Sequence, residues 1–111
     1  MSEIVLHGLK TCDTCRTAIR ALEDAGREAR LRDLDADPPD QDEVGRWQKI
    51  LGKPLLNTRS TTWRGLSEAD REGDPIDLIV AHPKLVKRPV IETGGELLLG
   101  WNDETRSALG L

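Results

Sequence analysis

The spacing of apolar residues changes several times along this chain, and each change predicts an element. Residues 3–8, Glu-Ile-Val-Leu-His-Gly, form a short apolar run ending on glycine, which reads as a buried strand. From residue 13 to 25, Ala18, Ile19, Leu22 and Ala25 recur at helical spacing and Gly26 supplies the stop. Residues 28–34 return to polar and apolar positions in alternation, as Ala29, Leu31 and Leu34 show, and predict a second strand. A strand–helix–strand order of this kind implies parallel pairing through a right-handed crossover.

An acidic, proline-containing turn spans residues 35–42, and Val44, Trp47 and Leu51 then predict a helix over 41–51 closed by Gly52. Residues 54–66 show no period and read as irregular chain anchored by Leu55 and Leu56. Ser67 is a suitable N-cap for a short helix to Arg71, and Asp74-Pro75 opens another that runs to about Ala81. Residues 89–93 and 96–100 flank Gly94-Gly95 as the two arms of a β-hairpin. Asn102 or Asp103 caps a last helix ending near Leu109. The order β-α-β, helices, β-β-α is that of an α/β, thioredoxin-like fold: a mixed four-stranded sheet flanked by helices, with a helical insertion over about 40–82. No repeat or linker interrupts it, so residues 1–111 are expected to form a single domain.

Composition narrows the function. Phe and Tyr are absent, so the core is expected to be aliphatic, with three tryptophans to supplement it. A net charge of −4 argues against nucleic acid as the main partner. No run approaches the ~20 apolar residues of a membrane span. The start, Met1-Ser2-Glu3-Ile4, lacks the basic and apolar segments of a secretory leader, so a cytoplasmic location is expected. With no heptad pattern and no obvious exposed apolar strand, monomer is the default.

The chemistry points to Cys12 and Cys15, three residues apart where the first strand gives way to the first helix. A helix N-terminus carries unpaired N–H groups and favours an anion, so a thiol there ionises more readily. An ordinary thiol of pKa ~8.5 is only about 3% thiolate at pH 7, whereas a pKa near ~6 would make it roughly 90% thiolate. Cys12, nearer the turn, is the better nucleophile, and Cys15, one turn into the helix, could resolve a mixed disulfide or sulfenic acid. The competing readings are two inert buried thiols or half of a zinc site. No second cysteine pair follows, and His7 and His82 lack ligand spacing, so no metal is expected. Asp13 opposes ionisation of its neighbours, while Lys10 and Arg16 offset it.

Four blocks carry a family likeness: Gly8-Leu-Lys-Thr-Cys-Asp-Thr-Cys15, Leu55 through Leu66, His82 through Val90, and Leu97-Leu-Leu-Gly-Trp-Asn102. In this order they resemble the arsenate reductase (ArsC) family, with its Spx-type regulators and YffB-like proteins; the middle block is most similar to the YffB-like group. The resemblance implies that Cys12 attacks an oxidised substrate and that Pro89 is a cis-proline beside it. It also implies that Arg88 binds the oxyanion, a task suited to a planar, permanently charged guanidinium. The family's second oxyanion arginine aligns near Asn57, with Arg59 two residues away, and its third falls in residues 96–100, where there is no arginine. The histidine that stands four residues before the family's cysteine is replaced by Gly8, with His7 one place off.

The resemblance therefore implies a thiol-dependent oxidoreductase acting on arsenate or a glutathione mixed disulfide. Cys12, Cys15 and Arg88 would be catalytic, with Asn57, Arg59, Arg88 and Pro89 holding the substrate. No cofactor is expected to be tightly bound; glutathione is the expected co-substrate, with glutaredoxin or thioredoxin as donor. The alternative is a redox-sensing regulator resembling Spx, which binds RNA polymerase. A third possibility is a glutathione-binding module without turnover.

Overall fold

The structure is a computed structural model that describes residues 3–111; Met1 and Ser2, part of the start read for a leader, lie outside the described residues. The chain divides into two compact units, one comprising the residues up to Asp33 together with Arg88–Leu111, the other Leu34–Lys87.

In the first unit, strands β1 (Ile4–Gly8), β2 (Ala29–Asp33), β3 (Val90–Thr93) and β4 (Glu96–Leu99) form one sheet in the order β2-β1-β3-β4. β1 runs parallel to β2, joined through helix α1 (Asp13–Asp24), and antiparallel to β3, while β3 and β4 form the hairpin. This mixed α/β sheet with flanking helices is the thioredoxin-like arrangement expected. Gly94 and Gly95 turn the hairpin with φ of 55° and 83°, a pair of left-handed values that side-chain-bearing residues rarely adopt. Ile4, Leu6 and Ile91 from one face of the sheet meet Ala18 and Leu22 of α1 and Leu109, with Ile19, Leu31, Leu98 and Trp101 packed around them. Fully burying each of the larger aliphatic side chains stabilises by about 1.5–3 kcal/mol relative to exposure. Ala25, placed by its spacing on the apolar face, is exposed because α1 has already ended.

The second unit holds α2 (Gln41–Leu51), α3 (Thr61–Arg64), α4 (Glu68–Arg71) and α5 (Pro75–Ala81), and includes the whole of residues 40–82. α2 packs against α5, with Val44, Trp47, Leu78 and Ile79 buried. Leu55 and Val86 are buried on two short 3-10 turns and the chain that follows them, where Lys87 N–H donates to Leu55 O at 2.7 Å. The stretch 54–66, expected to be irregular, contains α3. Ser60 caps it by accepting from Trp63 N–H at 3.1 Å, and four residues are too few for an apolar period to register in the sequence. The last helix, α6 (Asp103–Ala108), belongs to the first unit, and Asn102 rather than Asp103 is its cap. No helix among the described residues is long and apolar enough to cross a membrane.

Candidate active site

Cys12 is the N-cap of α1. Its N–H donates to Leu9 O at 3.1 Å, closing the turn after β1, and its carbonyl accepts from Arg16 N–H at 3.0 Å, opening the helix. The backbone there is extended, with φ −83° and ψ 118°, as an N-cap requires. The neutral thiol makes no capping hydrogen bond. The ionised sulfur is favoured by the N–H of Cys15, the third residue of the helix, which is the group an N-cap carboxylate would engage. Antiparallel pairing of β3 with β1 sets Val90 opposite His7, and Arg88 and Pro89 lead into that strand. The Arg88–Pro89 bond is cis, Pro89 is buried and Arg88 is half-buried. Arg88 lies near enough to hydrogen-bond the Cys12 sulfur and to attract its charge.

These contacts separate the two thiols. Burial pushes the Cys12 thiol up, but the Cys15 N–H, the Cys15 side chain and Arg88 together outweigh it and leave Cys12 below the ordinary value of 9.0. Cys15, fully buried, is pushed up to about 12, chiefly by that burial and further by the neighbouring Cys12 sulfur. The Cys12 sulfur therefore gives up its proton more readily than an ordinary thiol, and the Cys15 sulfur less readily. Asp13, the opposing charge beside Cys12, is engaged at the surface by Arg16 one helical turn on.

The other expected site residues stand in the second unit. Asn57 shapes the turn before α3: its N–H donates to Leu85 O at 2.7 Å, and its side-chain oxygen accepts from Arg59 N–H at 3.1 Å. Ser60 Oγ donates to Asn57 O at 3.0 Å. Asn57 thus has a structural occupation, whereas the Arg59 side chain is exposed. Trp63 and Trp101 are half-buried, each under an arginine, Arg71 at 5.7 Å and Arg106 at 5.6 Å from the ring centroids. Among the described residues no cluster of His, Cys, Asp or Glu is arranged to hold a metal ion.

Sequence reasoning missed a polar network on the sheet. His7 is only 4% exposed, with Nδ1 3.3 Å from an Arg32 guanidinium nitrogen and Nε2 3.2 Å from Glu92 Oε1. The ring thus bridges the Arg32 guanidinium on β2 and the Glu92 carboxylate on β3. The signal was a histidine inside an apolar strand. Its partners could be named only with two strand registers in hand, His7 opposite both Arg32 and Val90.

A model of the ArsC family matches residues 7–109, and the chain belongs to that family. An uncharacterized protein of Haemophilus influenzae is 33% identical over 95% of this chain and 96% of its own length. The solved structure of a YffB protein superposes with a TM-score of 0.87 at 34% identity, covering 95% of this chain and 96% of that one. An arsenate reductase (ArsC) related protein from Brucella melitensis follows with a TM-score of 0.76 at 32% identity, covering 98% and 96%. At lower identity stand an arsenate reductase of Acidiphilium multivorum, 27% over 84% of this chain and 70% of its own, and the global transcriptional regulator Spx of Listeria innocua, 26% over 91% and 82%. The family is one of thiol oxidoreductases that includes arsenate reductases alongside regulators.

Proposed function

We propose that this protein is a thiol-dependent reductase in which the Cys12 thiolate attacks an oxyanion such as arsenate, or a glutathione mixed disulfide, held by Arg88. The observation that carries this reading is the division of labour between the thiols, Cys12 held below the ordinary thiol value and Cys15 pushed up to about 12. With a disulfide substrate, the thiolate forms a new S–S bond, the old one breaks, and the departing thiolate takes a proton. With arsenate, an S–As bond forms and hydroxide leaves. Attack on Cys12 sulfur by a second thiol then passes two electrons to arsenic, releasing arsenite and leaving a disulfide.

The second thiol is external in this reading. Burial is the main reason Cys15 holds its proton, which makes it a poorer nucleophile at neutral pH than an accessible thiol. Glutathione, recycled by glutaredoxin, fits that requirement better than internal resolution by Cys15 with thioredoxin. The test is arsenate reduction coupled to NADPH oxidation, with glutathione plus glutaredoxin in one arm and thioredoxin in the other. Turnover that needs Cys12 and Arg88, survives Cys15→Ser and prefers glutathione is the expected result. Equal turnover by wild type and Cys12→Ser would overturn the reading.

A second reading is a redox-sensing regulator that binds RNA polymerase, favoured by the intact thiol pair and the Spx relative. Capture of RNA polymerase, through the carboxy-terminal part of its α polypeptide, only under oxidising or only under reducing conditions would support it. No capture in either state would remove it.

A further inference from the structure

Gly8 ends β1 at a place where no left-handed backbone calls for glycine: its φ is not among the positive values, which fall at Gly26, Gly52, Gly94, Gly95, Gly100 and Gly110. It is buried and in register with Asp33 of β2, so an ordinary strand residue would serve the sheet better. A glycine inside a strand commonly marks a close approach by something else. Here that something is sulfur. A Cβ built on Gly8 would overlap the Cys15 Sγ, well under the distance at which non-bonded atoms sit, while its next neighbours, Cys15 Cβ at 3.5 Å and Leu31 Cδ1 at 3.7 Å, are at ordinary contact distance.

We propose that Gly8 is a positioning residue for the thiol pair: its bare Cα forms the seat that holds the Cys15 sulfur beside Cys12. This rests on the reading of Cys12 as the attacking thiolate. The Cys15 side chain is fully buried and reaches the Cys12 sulfur with a hydrogen bond that favours the Cys12 anion. Any side chain at position 8 occupies the volume the Cys15 sulfur needs, so the sulfur must turn about χ1 or the end of β1 must part from α1. Either movement withdraws the thiol donor from Cys12. Gly8 touches no substrate and acts only through Cys15.

The test is a double-mutant cycle on the full chain, comparing Gly8→Ala, Cys15→Ala and the two combined. The readouts are the pH midpoint of Cys12 alkylation and the thermal midpoint of unfolding. Gly8→Ala alone is expected to raise the alkylation midpoint by on the order of one pH unit, the scale of a lost hydrogen bond to a charged group. In the Cys15→Ala background it is expected to change nothing, because the colliding sulfur is gone. A Gly8→Ala chain that does not fold while the double variant does would carry the same meaning. Equal effects of Gly8→Ala in both backgrounds, no effect in either, or failure of both variants to fold would overturn the proposal. Ordinary, unshifted alkylation of Cys12 in the unaltered chain would instead count against the thiolate reading, while coupling of the two sites in unfolding would still report the seat.

Discussion

The start of α1 differs from the start of every other α-helix among the described residues. Asp40, Ser60, Ser67, Asp74 and Asn102 each accept a hydrogen bond from a backbone N–H in the first turn of the helix that follows. At α1 the same position is Cys12, whose neutral thiol accepts none. A capping oxygen is worth about 1 kcal/mol to a helix. Placing a thiol there forgoes that stabilisation and leaves the first-turn N–H groups to favour a negative charge on sulfur instead. Five helix starts serve stability, and the sixth serves ionisation.

The largest effect should come from exchanging the two kinds of cap. Cys12→Ser is expected to abolish thiol alkylation at position 12 and all reductase turnover, since the nucleophile is gone. It should also raise stability by up to about 1 kcal/mol, because serine caps where the thiol does not, a gain measurable as a shifted denaturant midpoint. A destabilised Cys12→Ser protein would break the comparison.

Next in size is Arg88→Ala. Removing the guanidinium should raise the pH midpoint of Cys12 alkylation and cut the rate at neutral pH about tenfold, with Arg88→Lys intermediate because it keeps the charge but loses the planar fork. An unchanged pH profile in both variants would mean that Arg88 does not hold the sulfur.

Removing an ordinary cap should do the opposite. Asp40→Ala and Asn102→Ala are each expected to cost about 1 kcal/mol in urea unfolding and to leave the Cys12 alkylation midpoint untouched. A shift in that midpoint would show that helix stability, rather than local contacts, sets the reactivity.

A last effect is in stability against pH. Because Cys15 is raised from 9.0 to about 12, the folded state holds its proton more tightly than the unfolded state. The resulting stabilisation is complete below pH 9.0 and is lost as pH rises toward about 12. Cys12, lowered from 9.0, has the opposite sign: its contribution is present above that pH and is lost as pH falls through the folded value. In a Cys12→Ser background only the alkaline loss should remain, and adding Cys15→Ala should remove it.

Much of this was legible in the sequence, for identifiable reasons. Strong periods marked β1, α1 and α2, Asp74-Pro75 marked the start of α5, and Gly94-Gly95 marked the hairpin. The four sequence blocks pointed to the ArsC family, whose model matches residues 7–109. Helix α3 stayed hidden because its four residues carry no period, and only Ser60 announced it. The His7–Arg32–Glu92 network stayed hidden because it joins three strands far apart in sequence. The ordering of the two thiols was half legible. Proximity to the turn favoured Cys12, but the burial that holds the proton on Cys15 depends on how α1 settles against the sheet. Alignment with an arginine suggests Asn57 as a substrate ligand, yet its backbone and side chain are engaged in shaping a turn.

The most direct test is the pH profile of alkylation at each cysteine of the unaltered, reduced protein, resolved by peptide mass. Cys12 is predicted to react with a midpoint clearly below 9.0 while Cys15 stays unmodified through neutral pH. A Cys12 midpoint at or above that value, or labelling of Cys15 before Cys12, would contradict the assignment of Cys12 as the poised thiolate.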